Sequence, residues 1–473
     1  MRPMNLVACS LLFSGVLLVR SVVSEENQSE PSSDKLSIGT AAVDITPRLG
    51  TPMAGYYSPR GADGVHDPLM AKAMVLDDGT TRVALVSLDL IKTTAKFVNE
   101  ARQRIASESG IPAEAVMIAA THSHTGPVIA SGSDREDDFG GQSPEVVEYT
   151  ARLPESIALA VADAVANLQP VKVSGVTGHC EGIAFNRRFH MHDGSVGWNP
   201  GKLNPKIVRA AGPVDEDIPS LLFTDLAGER KAALVNYSIH LDTTGGTQIS
   251  ADMPGALTSL LADSITPDFF TLYFTACCGD VNHIDVSRGG RQQGSVEATR
   301  IGTILAASTL QAFEQSQPIH SMKLAYESRQ VMLPSYPVTE EQIVDARTLL
   351  DKQRTGGNAS FREIVAAYRA LDVDRNGHQP WEVEVQVITL GDQAAIVSLP
   401  GEIFVELGTT IRRGSPYPLT AVAELANGCV GYVPNRVAYP QGEYEVISAR
   451  VAEGSGELLV DTALDMLRSM YEH

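Results

Sequence analysis

Two hydrophobic rhythms alternate along this chain. Largely apolar runs occupy 83–88, which is rich in β-branched residues, 116–120, 232–239 and 269–275. Short runs without polar alternation predict strands buried on both faces. Between them lie stretches of helical spacing: 96–109, stopped by Gly110-Ile111-Pro112; 146–168, ending before Pro170; and 296–313. Residues 383–399 predict two strands around a Gly391-Asp392 turn. Residues 402–411 predict a helix with Glu402 at its N-terminus, and the polar helical stretch 339–370 reads as a surface insertion. The alternation predicts an α/β fold, a mixed and largely buried β-sheet flanked by helices. Several strands run out into loops carrying metal-type ligands, and sites in such sheets lie beyond the strands' carboxyl ends.

The first residues read as an export signal. Arg2 is a short positive region, 6–19 an apolar one, and Val22-Val23-Ser24 a small-residue cleavage site. Ser10, Ser14 and Arg20 interrupt the run, which argues against a membrane anchor. A signal peptide over 1–24, a flexible lead-in over 25–36 and a catalytic domain over 37–473 follow, with localisation secreted or periplasmic and no integral membrane segment after signal removal. A chain of 473 residues, 43% hydrophobic, supports a large core. Its net charge of −20 argues against nucleic acid or anionic membrane surfaces as partners. Cys180, Cys277, Cys278 and Cys429 are too few for a disulfide scaffold, and their pairing is left open.

Four separated loops carry the candidate chemistry. Thr121-His122-Ser123-His124-Thr125-Gly126-Pro127 follows one strand and His240 ends another. Glu402 stands in Leu399-Pro400-Gly401-Glu402, and Tyr432 closes Asn427-Gly428-Cys429-Val430-Gly431-Tyr432. Two imidazoles, a carboxylate and a phenolate can hold Zn²⁺ and leave room for water, the outfit of a hydrolase that uses metal-activated water. His122 and His124, at i and i+2, face one side of an extended segment, so one can ligate while the other faces substrate. Taken singly, His240 would pass for a structural residue, Glu402 for a carboxylate complementing a helix dipole, and Tyr432 for a core tyrosine. Asp372-Val373-Asp374-Arg375-Asn376-Gly377 matches half an EF-hand loop. Position twelve is Val383, which excludes that reading; whether Ca²⁺ or Mg²⁺ binds elsewhere is left open.

These segments, with Ala42-Val43-Asp44-Ile45-Thr46-Pro47, Gly64-Val65-His66-Asp67-Pro68-Leu69 and Ile249-Ser250-Ala251-Asp252, resemble the neutral/alkaline (non-lysosomal) ceramidases. The likeness runs from about Ser37 past Tyr432, with motifs in the family's order. It implies one zinc held by His122, His240, Glu402 and Tyr432, with His124 working beside the metal. It implies that Arg187, in Ala184-Phe185-Asn186-Arg187-Arg188, contacts substrate; Arg188 takes the role if the register slips by one. The chain departs from the family where Gly279-Asp280-Val281-Asn282-His283-Ile284 puts Asn282 in place of the family's serine. An amide cannot be a nucleophile but can donate to an oxyanion. The C-terminal immunoglobulin-like domain of full-length ceramidases is not expected. The resemblance implies a secreted zinc-dependent hydrolase of amide (N-acyl) bonds acting on a small-molecule or lipid amide. Two alternatives stand: a zinc-dependent esterase or other hydrolase on the same site, and a binding protein that kept the fold without turnover.

Overall fold

The computed structural model describes residues 35–472. The signal peptide, and the lead-in up to residue 34, lie outside the described residues. Strand β1 (Leu36–Asp44) begins one residue before the expected domain start. Seven more strands extend its sheet: β2 (Met70–Asp77), β3 (Arg82–Leu88), β4 (Val116–Ala120), β5 (Gln169–His179), β6 (Asp217–Asp225), β7 (Arg230–Tyr237) and β8 (Phe270–Thr275). Their order is β8-β7-β6-β5-β1-β2-β3-β4, with the two-residue strand Gln317–Pro318 beside β5. The β3–β4 and β7–β8 pairs at the ends are parallel, and the pairs between them antiparallel. The parallel ends are those largely apolar runs; every residue of β4 is buried. In contrast β5, in the antiparallel centre, alternates between exposed and buried positions.

Helices supply the cover that buried strands require. Helix α1 (Ala95–Ser109) crosses from β3 to β4. Its start is fixed by the Thr94 hydroxyl accepting from Phe97 N, its end by Gly110 at φ 69°, a conformation glycine adopts without penalty. Helix α2 (Pro144–Ala166), capped by Ser143, packs beside it. Helices α3 (Met253–Ser264) and α4 (Ser295–Phe313) pack together near the other end.

A second sheet follows: β9 (Leu324–Leu333), β10 (Trp381–Leu390), β11 (Ala394–Ser398) and β12 (Leu419–Ala423) in that order, the last pair parallel. Between β9 and β10 lie α5 (Glu340–Arg354) and α6 (Phe361–Arg375), each opened by a capping box. Helix α7 (Val405–Gly414) joins β11 to β12, and α8 (Ser455–Tyr471) packs on α7 and β10.

Buried polar side chains lock the two sheets together. The Asn236 amide donates to the carbonyls of Phe274 and Val422 at 2.9 and 3.1 Å and accepts from Val422 N at 3.0 Å. Asn427 Oδ1 accepts from Ile118 N at 3.0 Å; within the first sheet, Ser87 Oγ donates to the Tyr273 carbonyl at 2.6 Å and ties β3 to β8. Leaving such a group unpaired would cost about 1–3 kcal/mol. These clamps bring the carboxyl ends of β4, β7, β8, β11 and β12 side by side.

Element ends fall within about three residues of the sequence reading except at α6, which runs five residues past 370, and the reading fails in kind at Glu402. Helix α7 starts at Val405, so Glu402 does not cap it; Glu402–Ile403 pairs in parallel with Tyr432–Val433. Gly401 permits that approach, because a Cβ there would lie 2.6 Å from the Gly431 carbonyl oxygen. Helices α5 and α6 share a small apolar cluster including Ile343, Leu350 and Leu371, and their aromatic edge reaches the site described next. Asp372 lies in the last turn of α6 and pairs with Arg450 at 2.7 Å rather than in a calcium loop.

Candidate metal centre

Three imidazoles converge where the strands end. His122 follows β4, His240 follows β7, and His124 lies two residues beyond His122. The Nε2 atoms of His122 and His240 are 3.0 Å apart, those of His124 and His240 3.1 Å, and those of His124 and His122 3.3 Å. Glu402 Oε2 is 3.4 Å from His122 Nε2. Donors about 2.0–2.1 Å from a tetrahedral zinc stand roughly 3.4 Å from one another. Convergence requires a bent loop: His122 has φ 76°, a conformation L-residues seldom adopt. The turn lets both histidines reach one point. Gly55 packs against His124, and any Cβ at Gly55 would lie 2.8 Å from the imidazole.

The outer nitrogens fix how the rings are presented. His122 Nδ1 is 2.6 Å from the Ile91 carbonyl, which can only accept, so Nδ1 carries a proton and Nε2 is left for the centre. His240 Nδ1 faces Cys278 Sγ at 3.9 Å, and that thiol donates to Glu424 at 2.9 Å. His124 Nδ1 is buried with no hydrogen-bond partner.

Burial disfavours charge on all three rings. It pushes His124 down to about 3 and His240 well below the usual histidine range, with His122 adding repulsion. Burial also opposes charge on His122, but Glu402 outweighs it and raises this histidine. The same partnership, against burial, holds Glu402 down to about 2. Two neutral imidazoles and His122, whose charge Glu402 favours, therefore aim their Nε2 atoms at one point beside an ionised carboxylate. A divalent cation satisfies that arrangement, so the residues fit a metal.

Tyr432 joins the cluster from the neighbouring two-residue strand and lines the same pocket as Glu402. Arg187 Nη2 donates to Tyr432 Oη at 3.0 Å and to the Gly279 carbonyl at 2.7 Å, while Nε donates to Glu445 at 2.8 Å. Arg187 is thus engaged in holding Tyr432 and its neighbours and does not line the pocket. Arg188 Nη1 reaches the other Glu445 oxygen at 2.9 Å. Asn282 is buried outside the pocket: its Nδ2 donates to Asn199 at 3.1 Å and its Oδ1 accepts from Ile284 N at 3.0 Å. Both ends of the amide are used in framing the loop, so the structure does not bring Asn282 to the imidazoles. His283 sits between Asp242 at 3.1 Å and the Gln292 carbonyl at 2.8 Å.

The pocket over the imidazoles is narrow, with a cavity volume of about 70 Å³. Met53, Val128, Ile129 and Phe139 form an apolar wall; Tyr444, stacked on Phe361 of α6, forms another. Sequence reasoning found the imidazoles, Glu402 and Tyr432. It missed Glu445, a lone acid in an unremarkable segment, and Arg135, which lines the pocket from within a charged run.

A family profile, neutral/alkaline non-lysosomal ceramidase, N-terminal, matches residues 36–354. The chain belongs to that family. The match ends with α5, so Glu402 and Tyr432 lie beyond it. Among solved structures, the neutral ceramidase from Pseudomonas aeruginosa is similar, at 20% identity and TM-score 0.74 over 93% of this chain and 75% of that one. A ceramidase complexed with C2 is likewise 20% identical, at TM-score 0.73 over 93% of this chain and 76% of that chain. The shared fold and the family together support an amide-cleaving hydrolase.

Proposed function

We propose that this chain is an exported zinc-dependent hydrolase of amide (N-acyl) bonds. The observation that carries the reading is the convergence of three imidazole Nε2 atoms beside Glu402, under an apolar wall. The apolar stretch at the N-terminus supports export. Among the described residues no helix is long and apolar enough to cross a membrane. His122, His240, Glu402 and Tyr432 are the residues that would hold zinc, in line with the family resemblance. A zinc ion there would supply Lewis acidity, polarising the scissile carbonyl and making water acidic enough to attack near neutral pH.

The chain's own groups do the rest. His124, kept neutral by burial, takes the proton from the attacking water and returns it to the leaving amine. The C–N bond breaks, the hydroxyl stays on the acyl carbon, and the amine leaves protonated. Arg187 positions Tyr432 by donating to its oxygen, and Glu445 positions Arg187. Asn282 frames the loop behind Arg187. The Met53, Val128 and Ile129 wall takes the acyl chain and excludes water from the carbonyl. A second reading makes His124 a third imidazole ligand, which its equal spacing from the other two favours.

The test is fatty-acid release from a panel of N-acyl amides and matched esters, before chelation, after it, and after zinc is restored. The reading expects amide cleavage that chelation removes and zinc returns. Cleavage of esters alone would reassign the bond, and zinc-loaded protein inert on every substrate would leave a binding protein.

A further inference from the structure

The short helix Asp134–Asp138 carries a run of charge at the mouth of the pocket. All its acids are engaged. Asp134 pairs with Arg375 at 2.5 Å, and Glu136 pairs with Lys92 at 2.7 Å while accepting from Ser131 at 2.9 Å. Asp137 accepts from Gln142 at 2.8 Å, and Asp138 takes Arg354 in a two-pronged contact at 2.8 and 3.0 Å. Arg135 differs. Among the described residues no carboxylate lies within 4.0 Å of its guanidinium, and its side chain makes no hydrogen bond. Its guanidinium rests over the Tyr57 ring, 4.2 Å from the centroid, which fixes its place without using its N–H groups.

That guanidinium lines the pocket together with His122, His124 and Glu402. It also lines a larger cleft of about 680 Å³ that meets the pocket at Glu402. The other cations there are paired: Lys92 with Glu136, Arg375 with Asp134 and Arg450 with Asp372. A planar fork of donors, held by a ring face and open to a pocket, is the arrangement that grips a carboxylate with two parallel hydrogen bonds. Glu136 and Glu402 act on its charge from beyond contact, but no carboxylate takes its N–H groups, and an amide with no anionic group would leave that fork unmatched.

We infer that Arg135 is an anion-recognition residue and that the amide cleaved here carries a carboxylate. This rests on the amide-hydrolase reading and names the substrate class within it. The acyl chain lies against the apolar wall, and the carboxylate engages Arg135 on the cleft side of Glu402.

Matched pairs test this. Dodecanoate release from N-dodecanoylglycine is compared with release from uncharged N-dodecanoylglycinamide, which places the carboxylate on the amine portion. Glutaryl anilide against butyryl anilide places it on the acyl portion. In one pair the acid should be favoured about 10- to 100-fold in kcat/KM, the range of a hydrogen bond to a charged group. The preference should lie in KM, vanish in Arg135→Gln and survive in part in Arg135→Lys. No preference for the acid in either pair would overturn the inference, as would an Arg135→Gln variant that slows acid and neutral substrates equally. Binding of the first pair by calorimetry reads Arg135 without turnover. Zinc-loaded protein that cleaves neither pair but binds the acid 10-fold more tightly would sink the hydrolase reading and keep Arg135. Equal binding there would sink both.

Discussion

Replacing Glu445 with glutamine should destabilise the protein by about 3–5 kcal/mol, the usual effect of removing one partner from a buried ion pair. Glu445 is 0% exposed, and its two oxygens are 2.8 and 2.9 Å from Arg187 Nε and Arg188 Nη1, themselves 3% and 2% exposed. One carboxylate thus bridges two guanidinium groups. Glutamine keeps the shape, but it removes the one negative charge they share and turns an acceptor into a donor facing an N–H. At roughly 2.1 cal/mol/K of unfolding entropy per residue, a chain of about 440 ordered residues loses about 1 °C per kcal/mol, so melting should fall by about 3–5 °C. Differential scanning calorimetry reads this directly. Zinc affinity should also fall, by about 10–100-fold, because Arg187 loses the anchor with which it holds Tyr432. A melting shift under about 1 °C with unchanged zinc affinity would refute the reasoning.

The Asn282→Ala variant should lose about 1–3 kcal/mol of stability, from the unpaired Ile284 N and Asn199 oxygen, with turnover per folded molecule unchanged; a ~100-fold fall in kcat without a melting shift would put Asn282 at the reacting centre. His124→Ala should keep its zinc, measured by elemental analysis, while turnover falls about 10²–10⁴-fold; loss of zinc would make His124 a ligand. Zinc affinity should weaken roughly tenfold per pH unit as pH falls through the usual histidine range, because one proton competes for His122, which Glu402 raises; His240, held well below that range, adds no competition there. A flat profile from pH 7.5 to pH 5.5 by competition titration would contradict that ligand set.

Local patterning carried much of the fold. The unbroken apolar run ending at Ala120 could hardly be other than a buried strand, and the Gly110 stop set the end of α1. It failed at Glu402. Pro-Gly followed by an amphipathic stretch suggests a helix cap, and only contact with a segment some 30 residues later makes Glu402–Ile403 a strand. The extended i, i+2 picture of His122 and His124 missed the left-handed turn at His122 that gathers both rings. Arg187 stood out by its motif, but the groups it contacts were not legible. What it touches is set by Glu445 and Tyr432, more than 240 positions away. Arg135 was hidden because a run of charges reads as a solvated face until each partner is placed.

The central claim is that His122 and His240, with Glu402 and Tyr432, hold a zinc ion that the chemistry requires. Elemental analysis of purified protein and of His240→Ala, alongside amide turnover by the same samples, tests it most directly. The account predicts about one zinc per wild-type chain, turnover that rises in proportion to zinc on reconstitution, and neither zinc nor turnover in His240→Ala at unchanged far-UV circular dichroism. Amide turnover that persists in thoroughly chelated, zinc-free protein would contradict it.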